Sequence, residues 1–121
     1  MNYRSPSVGN EISCVMYGID RTNLDDNKKL EKILLQALKK DKFTILERVS
    51  HQFNPQGYTL VVLLAESHVS ISTYPEYGSL FFYLYSCRGK GDGRKTYEWI
   101  KERLKPRSVD FKQRPIRVKK I

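Results

Sequence analysis

The chain has little of what marks several familiar classes of protein. Among its 121 residues are only two cysteines, Cys14 and Cys87, so it lacks the disulfide framework that staples small secreted domains. No apolar run approaches the ~20 residues that a membrane span requires. The first ten residues are polar and lack the apolar stretch of a signal peptide, which points to a cytoplasmic protein. Histidine is scarce, at two, and no convincing ligand cluster is present, so no metal site is expected. Acidic residues are also few, 13 against 22 basic ones, for a net charge of +9. The excess is uneven: Lys105 to Ile121 holds seven basic residues and Asp110 as its single acid. A solvated basic tail over about 106–121 is the plain reading. A surface for nucleic acid or another polyanion is the sharper one, because Lys and Arg bind phosphates on any fold.

The apolar and aromatic content, 40% and 12%, suits one globular domain over 1–121, and the length is too short for two comfortable cores. Glu11 to Ile19 reads as a strand. Thr22 and Asp25 have the spacing of a capping box and open a helix that runs to about Lys40. Within it Leu30, Ile33, Leu34, Ala37 and Leu38 fall on one face. Phe43 to Phe53 reads as a second strand, Asn54-Pro55-Gln56-Gly57 as a turn and Tyr58 to Ala65 as a central strand. Extended character resumes from Val69 to Thr73, after an interruption at Glu66-Ser67-His68. A turn at Tyr74 to Gly78 leads into a strand from Ser79 to Cys87. After the GKGDG loop, a helix runs from about Arg94 to Lys105, where Pro106 stops it. A last strand is expected over Ser108 to Phe111. Hairpin-like turns between the middle strands predict a two-layer α+β sandwich, an antiparallel sheet with two helices on one face.

The segment with chemical promise is Ala65-Glu66-Ser67-His68-Val69-Ser70-Ile71-Ser72-Thr73-Tyr74-Pro75-Glu76, where a polar triplet breaks an apolar pattern. By itself this fits a bulge or strand end facing solvent, and neighbouring strand residues such as Ser67 and His68 point to opposite faces. The segment resembles the self-cleavage motif of the prokaryotic S-adenosylmethionine decarboxylases, AESH-x-SIHTWPE followed by a strand ending in Thr-Cys-Gly. Here it reads AESHVSISTYPEYG and then YSCRG, with Cys87 twenty residues after Ser67; His51-Gln52-Phe53 also matches. The likeness covers roughly residues 9 to 105.

The resemblance implies a pyruvoyl-dependent decarboxylase made as a proenzyme, supplying aminopropyl groups for spermidine synthesis. It implies cleavage between Glu66 and Ser67 into 1–66 and 67–121, with Ser67 becoming the pyruvoyl group that forms a Schiff base with substrate. Cys87 then matches the proton donor, and Thr59 a hydroxyl that assists processing. Phe53 and Tyr74 match rings that stack on adenine, and Glu76 the carboxylate that holds the ribose hydroxyls. A homodimer in which both protomers contribute to each site is implied as well.

Several positions depart from the family pattern. Ser72 stands where the family carries the histidine that removes a proton during self-cleavage. Val15 is apolar in a stretch where the family pattern has a glutamate, Leu80 and Phe81 replace small alanines, and Tyr83 replaces an acid. These changes raise two alternatives: a pyruvoyl-dependent arginine or ornithine decarboxylase, and a non-processing homologue that acts as a binding protein.

Overall fold

The computed structural model describes residues 6–121; the start of the polar N-terminal segment lies outside them. Period-two burial is plain in β1 (Val8–Tyr17), where Ile12, Cys14 and Met16 are buried and the residues between them are not. That is the pattern of a strand with one covered face.

The region read as one helix is two. Asp20 caps α1 (Arg21–Leu24), its carboxylate accepting from the Thr22 backbone N–H at 3.0 Å. Asp26 caps α2 (Asn27–Lys40) by accepting from the Lys29 N–H at 3.1 Å. The Thr22–Asp25 box is therefore not the cap. Each aspartate satisfies orphan N–H groups of its own helix, and the chain turns between them. The stripe of Leu30, Ile33, Leu34, Ala37 and Leu38 on α2 is buried throughout, as its spacing predicts.

The remaining elements are β2 (Ile45–Gln52), β3 (Tyr58–Leu64), β4 (Ser67–Tyr74), a 3-10 turn (Pro75–Tyr77), β5 (Ser79–Ser86), α3 (Arg94–Leu104) and β6 (Ser108–Arg117). All pairings are antiparallel, in the order β2-β3-β4-β5-β1-β6. α2 and α3 lie on one face, where Tyr97, Ile100 and Leu104 join the α2 stripe over Ile12, Leu60, Val62, Ile71, Phe82 and Leu84. Among the described residues, no helix covers the other face of the sheet.

The expected basic tail is mostly strand. β6 pairs with β1 along ten residues, from Val8↔Arg117 to Tyr17↔Ser108. Val109 and Phe111 pack against the core, while Lys112 and Arg114 alternate onto the open face. Charge and Pro115 blunt this outer strand against pairing with other chains.

α3 lacks a cap of its own. Its N-cap is Gly93, at φ 93°, and a side chain there would run into Leu84. Asp41, at the end of α2, supplies the missing acceptor. Its carboxylate takes the Thr96 backbone N–H at 3.1 Å and the Thr96 hydroxyl at 2.7 Å, and pairs with Arg88 at 3.3 Å. Replacing Asp41 by Ala leaves the two Thr96 donors unpaired and takes one of its two carboxylate partners from Arg88. The expected loss is about 2–4 kcal/mol, read from the urea midpoint; Asp41→Asn, which keeps an acceptor, loses less.

Candidate functional site

β3 and β4 are joined by Ala65 and Glu66 alone, and the ladder closes at Leu64↔Ser67. The polar triplet is thus the end of a tight hairpin turn and the first two residues of β4. Glu66 sits at φ 64°, the left-handed region at a turn position where glycine is usual, which costs a residue with a Cβ about 1–2 kcal/mol. The Ser67 side chain is buried, and its hydroxyl makes one long contact, 3.5 Å to the Ala65 carbonyl. Just past β5, the Cys87 thiol donates to the Glu66 carbonyl oxygen at 2.6 Å. Strain, hydroxyl and thiol therefore meet at one peptide bond.

Neighbouring groups hold this arrangement. Tyr85 lies two residues before Cys87 on the open face, and hydrogen bonding to Cys87, then burial, raises its phenol above the usual range. The His68 ring lies 5.9 Å from both the Tyr83 and Tyr85 rings. Arg88 stacks 3.5 Å over Phe43, pairs with Asp92 at 2.7 Å and donates to the Lys42 carbonyl at 3.0 Å. With Asp41 these contacts pin the residue that follows Cys87. A cavity of about 210 Å³ opens here, lined by Glu66, Cys87, Phe43, Lys42 and Arg88 among others.

The other residues singled out in the sequence form a second cluster. Thr59 and Ser72 are register partners with their hydroxyl oxygens 3.0 Å apart. His51 pairs with Thr59 across β2 and β3, its ring edge-on to Phe53 with centroids 4.7 Å apart. Phe53 and Tyr74 are both about half exposed, at 48% and 47%. Glu76, in the 3-10 turn, accepts from the Gln56 amide at 3.5 Å.

Within one chain the two clusters do not meet. Tyr74 lies seven steps along β4 from Ser67, roughly 23 Å at strand rise. They also differ in face: Ser67 alternates with Val69 and Ile71 toward the helices, whereas Ser72 and Tyr74 share the open face. Phe81 lies beside Ser72 on that face, but Leu80 points into the core and is fully buried, so it takes no part in a site on the open side. Tyr83, in place of an acid, donates to Glu11 at 2.6 Å, and Arg114 donates to the same carboxylate at 2.9 Å. These bonds, Tyr83's first, hold the Glu11 carboxyl below its ordinary range.

Comparison with known proteins identifies the family and the fold. The S-adenosylmethionine decarboxylase family matches over residues 10–115. The chain belongs to that family. It is 39% identical over 106 residues to an S-adenosylmethionine decarboxylase proenzyme of Sulfurihydrogenibium, covering 88% of this chain and 80% of the relative. It is 35% identical over 101 residues to the proenzyme of Archaeoglobus fulgidus, covering 84% and 90%. The crystal structure of the adenosylmethionine decarboxylase from Aquifex aeolicus superposes with a TM-score of 0.86 at 29% identity, covering 94% of each chain. The family's members are carboxy-lyases that carry a pyruvoyl group made from one of their own serines by self-cleavage. The residues here fit that group, since a serine follows a strained carbonyl that already accepts a hydrogen bond.

Three supporting residues were not singled out from the sequence. Tyr85 could have been, because Phe81, Tyr83, Tyr85 and Cys87 alternate along one strand face. Arg88 and Asp41 gave no local signal. Burial and the Glu11 bond push the Tyr83 phenol from 10.0 up to about 12. A raised pKa means that the folded state keeps a proton the unfolded chain releases. The stability it contributes is complete below pH 10 and falls as pH rises toward 12. Tyr83→Phe should flatten this alkaline fall in urea titrations run at intervals from pH 9 to 12.

Proposed function

We propose that this chain is a proenzyme that cuts itself between Glu66 and Ser67 and then decarboxylates S-adenosylmethionine in the cytoplasm, on the route to spermidine. The observation that carries the reading is the Cys87 thiol on the Glu66 carbonyl, at a turn whose backbone is strained. The Ser67 hydroxyl attacks that carbonyl and converts the amide to an ester. Cys87 stabilises the charge that develops on the oxygen, as a donor aimed in advance at that atom, and the left-handed strain at Glu66 is relieved when the bond breaks. Removal of the Cα proton of residue 67 expels the Glu66 carboxylate, and hydrolysis of the resulting dehydroalanine, which releases its nitrogen as ammonia, leaves the pyruvoyl group. That group, at position 67 beside Cys87, would supply a ketone able to take a substrate amine and to act as an electron sink for decarboxylation. Cys87 then returns a proton to the substrate Cα. Phe53 and Tyr74, half exposed, offer rings to adenine, and Glu76 accepts from the ribose hydroxyls.

Each working site draws on two copies. The open face carries Val49, Val61, Leu63 and Phe81 outward, apolar surface that a second sheet can cover. A two-fold axis running across the strands sets the Ser67–Cys87 end of one sheet against the Thr59–Ser72–Tyr74 end of the other. The halves separated by the length of β4 are then brought together.

Mass spectrometry of the purified protein should show fragments 1–66 and 67–121, and an intact chain for Ser67→Ala. A chain that stays whole would refute the reading. CO2 release is expected from S-adenosylmethionine, and not from arginine or ornithine assayed beside it.

The shared site has its own test. Ser67→Ala and Glu76→Gln chains, each inactive alone, should recover activity when co-expressed, because one of the two sites in a mixed dimer is intact. No recovery would place both halves in one chain.

A further inference from the structure

We propose that His51 is the final proton acceptor for self-cleavage, reached from Ser72 through the hydroxyl of Thr59. The inference rests on the self-cleaving, two-copy reading above. A serine hydroxyl at position 72 is too weak a base to hold a proton taken from carbon; it can only hand one on while releasing its own. The structure places an outlet beside it. The Ser72 and Thr59 hydroxyl oxygens are 3.0 Å apart, and either can donate. Across β3, the register partner of Thr59 is His51. Partners of this kind share a face, with Cβ atoms about 4.5–5.5 Å apart, within reach of a hydrogen bond made directly or through one water. His51, Thr59 and Ser72 thus form one row across three adjacent strands, ending in an imidazole that Phe53 steadies from the side.

The other histidine is placed differently. His68 lies at the opposite end of β4, between Tyr83 and Tyr85, four residues or about 13 Å along the strand from Ser72, whereas His51 is only two ladder steps away. Ser72 is five residues from Ser67 along the strand, about 16 Å. It therefore serves Ser67 of a second copy.

The step balances. After the ester has formed, the Cα–H bond of residue 67 breaks, and its electron pair becomes the Cα=Cβ bond. The Cβ–O bond breaks with it, and Glu66 leaves as a carboxylate. The Cα proton passes to Ser72, the Ser72 proton to Thr59, and the Thr59 proton to an imidazole nitrogen of His51, which becomes the cation.

Cell-free translation, with the split followed over time, tests this. His51→Gln and Thr59→Val should slow the split about 100-fold or more, the usual contribution of a positioned base. Thr59→Ser should stay close to the unmodified rate. Ser72→His added to His51→Gln should restore the split, because the base then stands at position 72. The slowed variants should accumulate the ester, which hydroxylamine cleaves at position 66; a merely structural defect would leave an amide that resists it. Splitting of His51→Gln at the unmodified rate would overturn the relay and leave the function reading intact. An unmodified chain that never splits would overturn both.

Discussion

The pairing of Leu64 with Ser67 is the constraint on which the candidate chemistry depends. It leaves two residues to reverse the chain, and the second, Glu66, carries a side chain in a backbone region that disfavours one. β5 then delivers Cys87 to the carbonyl of that residue. Arg88, Asp41 and Asp92 do not touch the bond, yet they fix the place where β5 ends. A shift of one residue anywhere in this ladder would turn Ser67 to the other face.

Three of the departures from the family pattern are neighbours. Val15, Phe81 and Ser72 are consecutive register partners across β1, β5 and β4. Where the family has a histidine beside an alanine, this chain has a serine beside a phenylalanine, so bulk is lost at position 72 and gained one strand over at position 81. Such a paired exchange is tolerated better than either change alone. It also explains how the sheet can keep its shape while the chemistry at position 72 changes.

Much of this was legible in the sequence. The nearly continuous apolar run of Tyr58–Ala65 and the stretch Ser79–Cys87 read as strands, and the stripe from Leu30 to Leu38 gave α2. The motif around Ser67 gave the family. β6 was read too short because its Lys and Arg residues suggested solvent, although Val109 and Phe111 already alternated as strand residues do. The break between α1 and α2 was missed because Thr22 and Asp25 mimic a box, while Asp20 and Asp26 do the capping. The cap that Asp41 lends to Thr96 was out of reach, since it joins residues far apart in sequence. So was the separation of the site into two ends, which follows from the direction of β4 and not from any residue on it.

The strand order has a further consequence. A cut after Glu66 would leave β1, β2 and β3 in one fragment and β4, β5 and β6 in the other, yet β1 lies between β5 and β6. The two fragments would be interleaved like the fingers of clasped hands, joined along β3–β4, β5–β1 and β1–β6. Neither could depart without dismantling the common core. Maturation would therefore change the covalent chain without releasing a piece of it, and a cut protein that was later unfolded would need two molecules to meet before it could fold again.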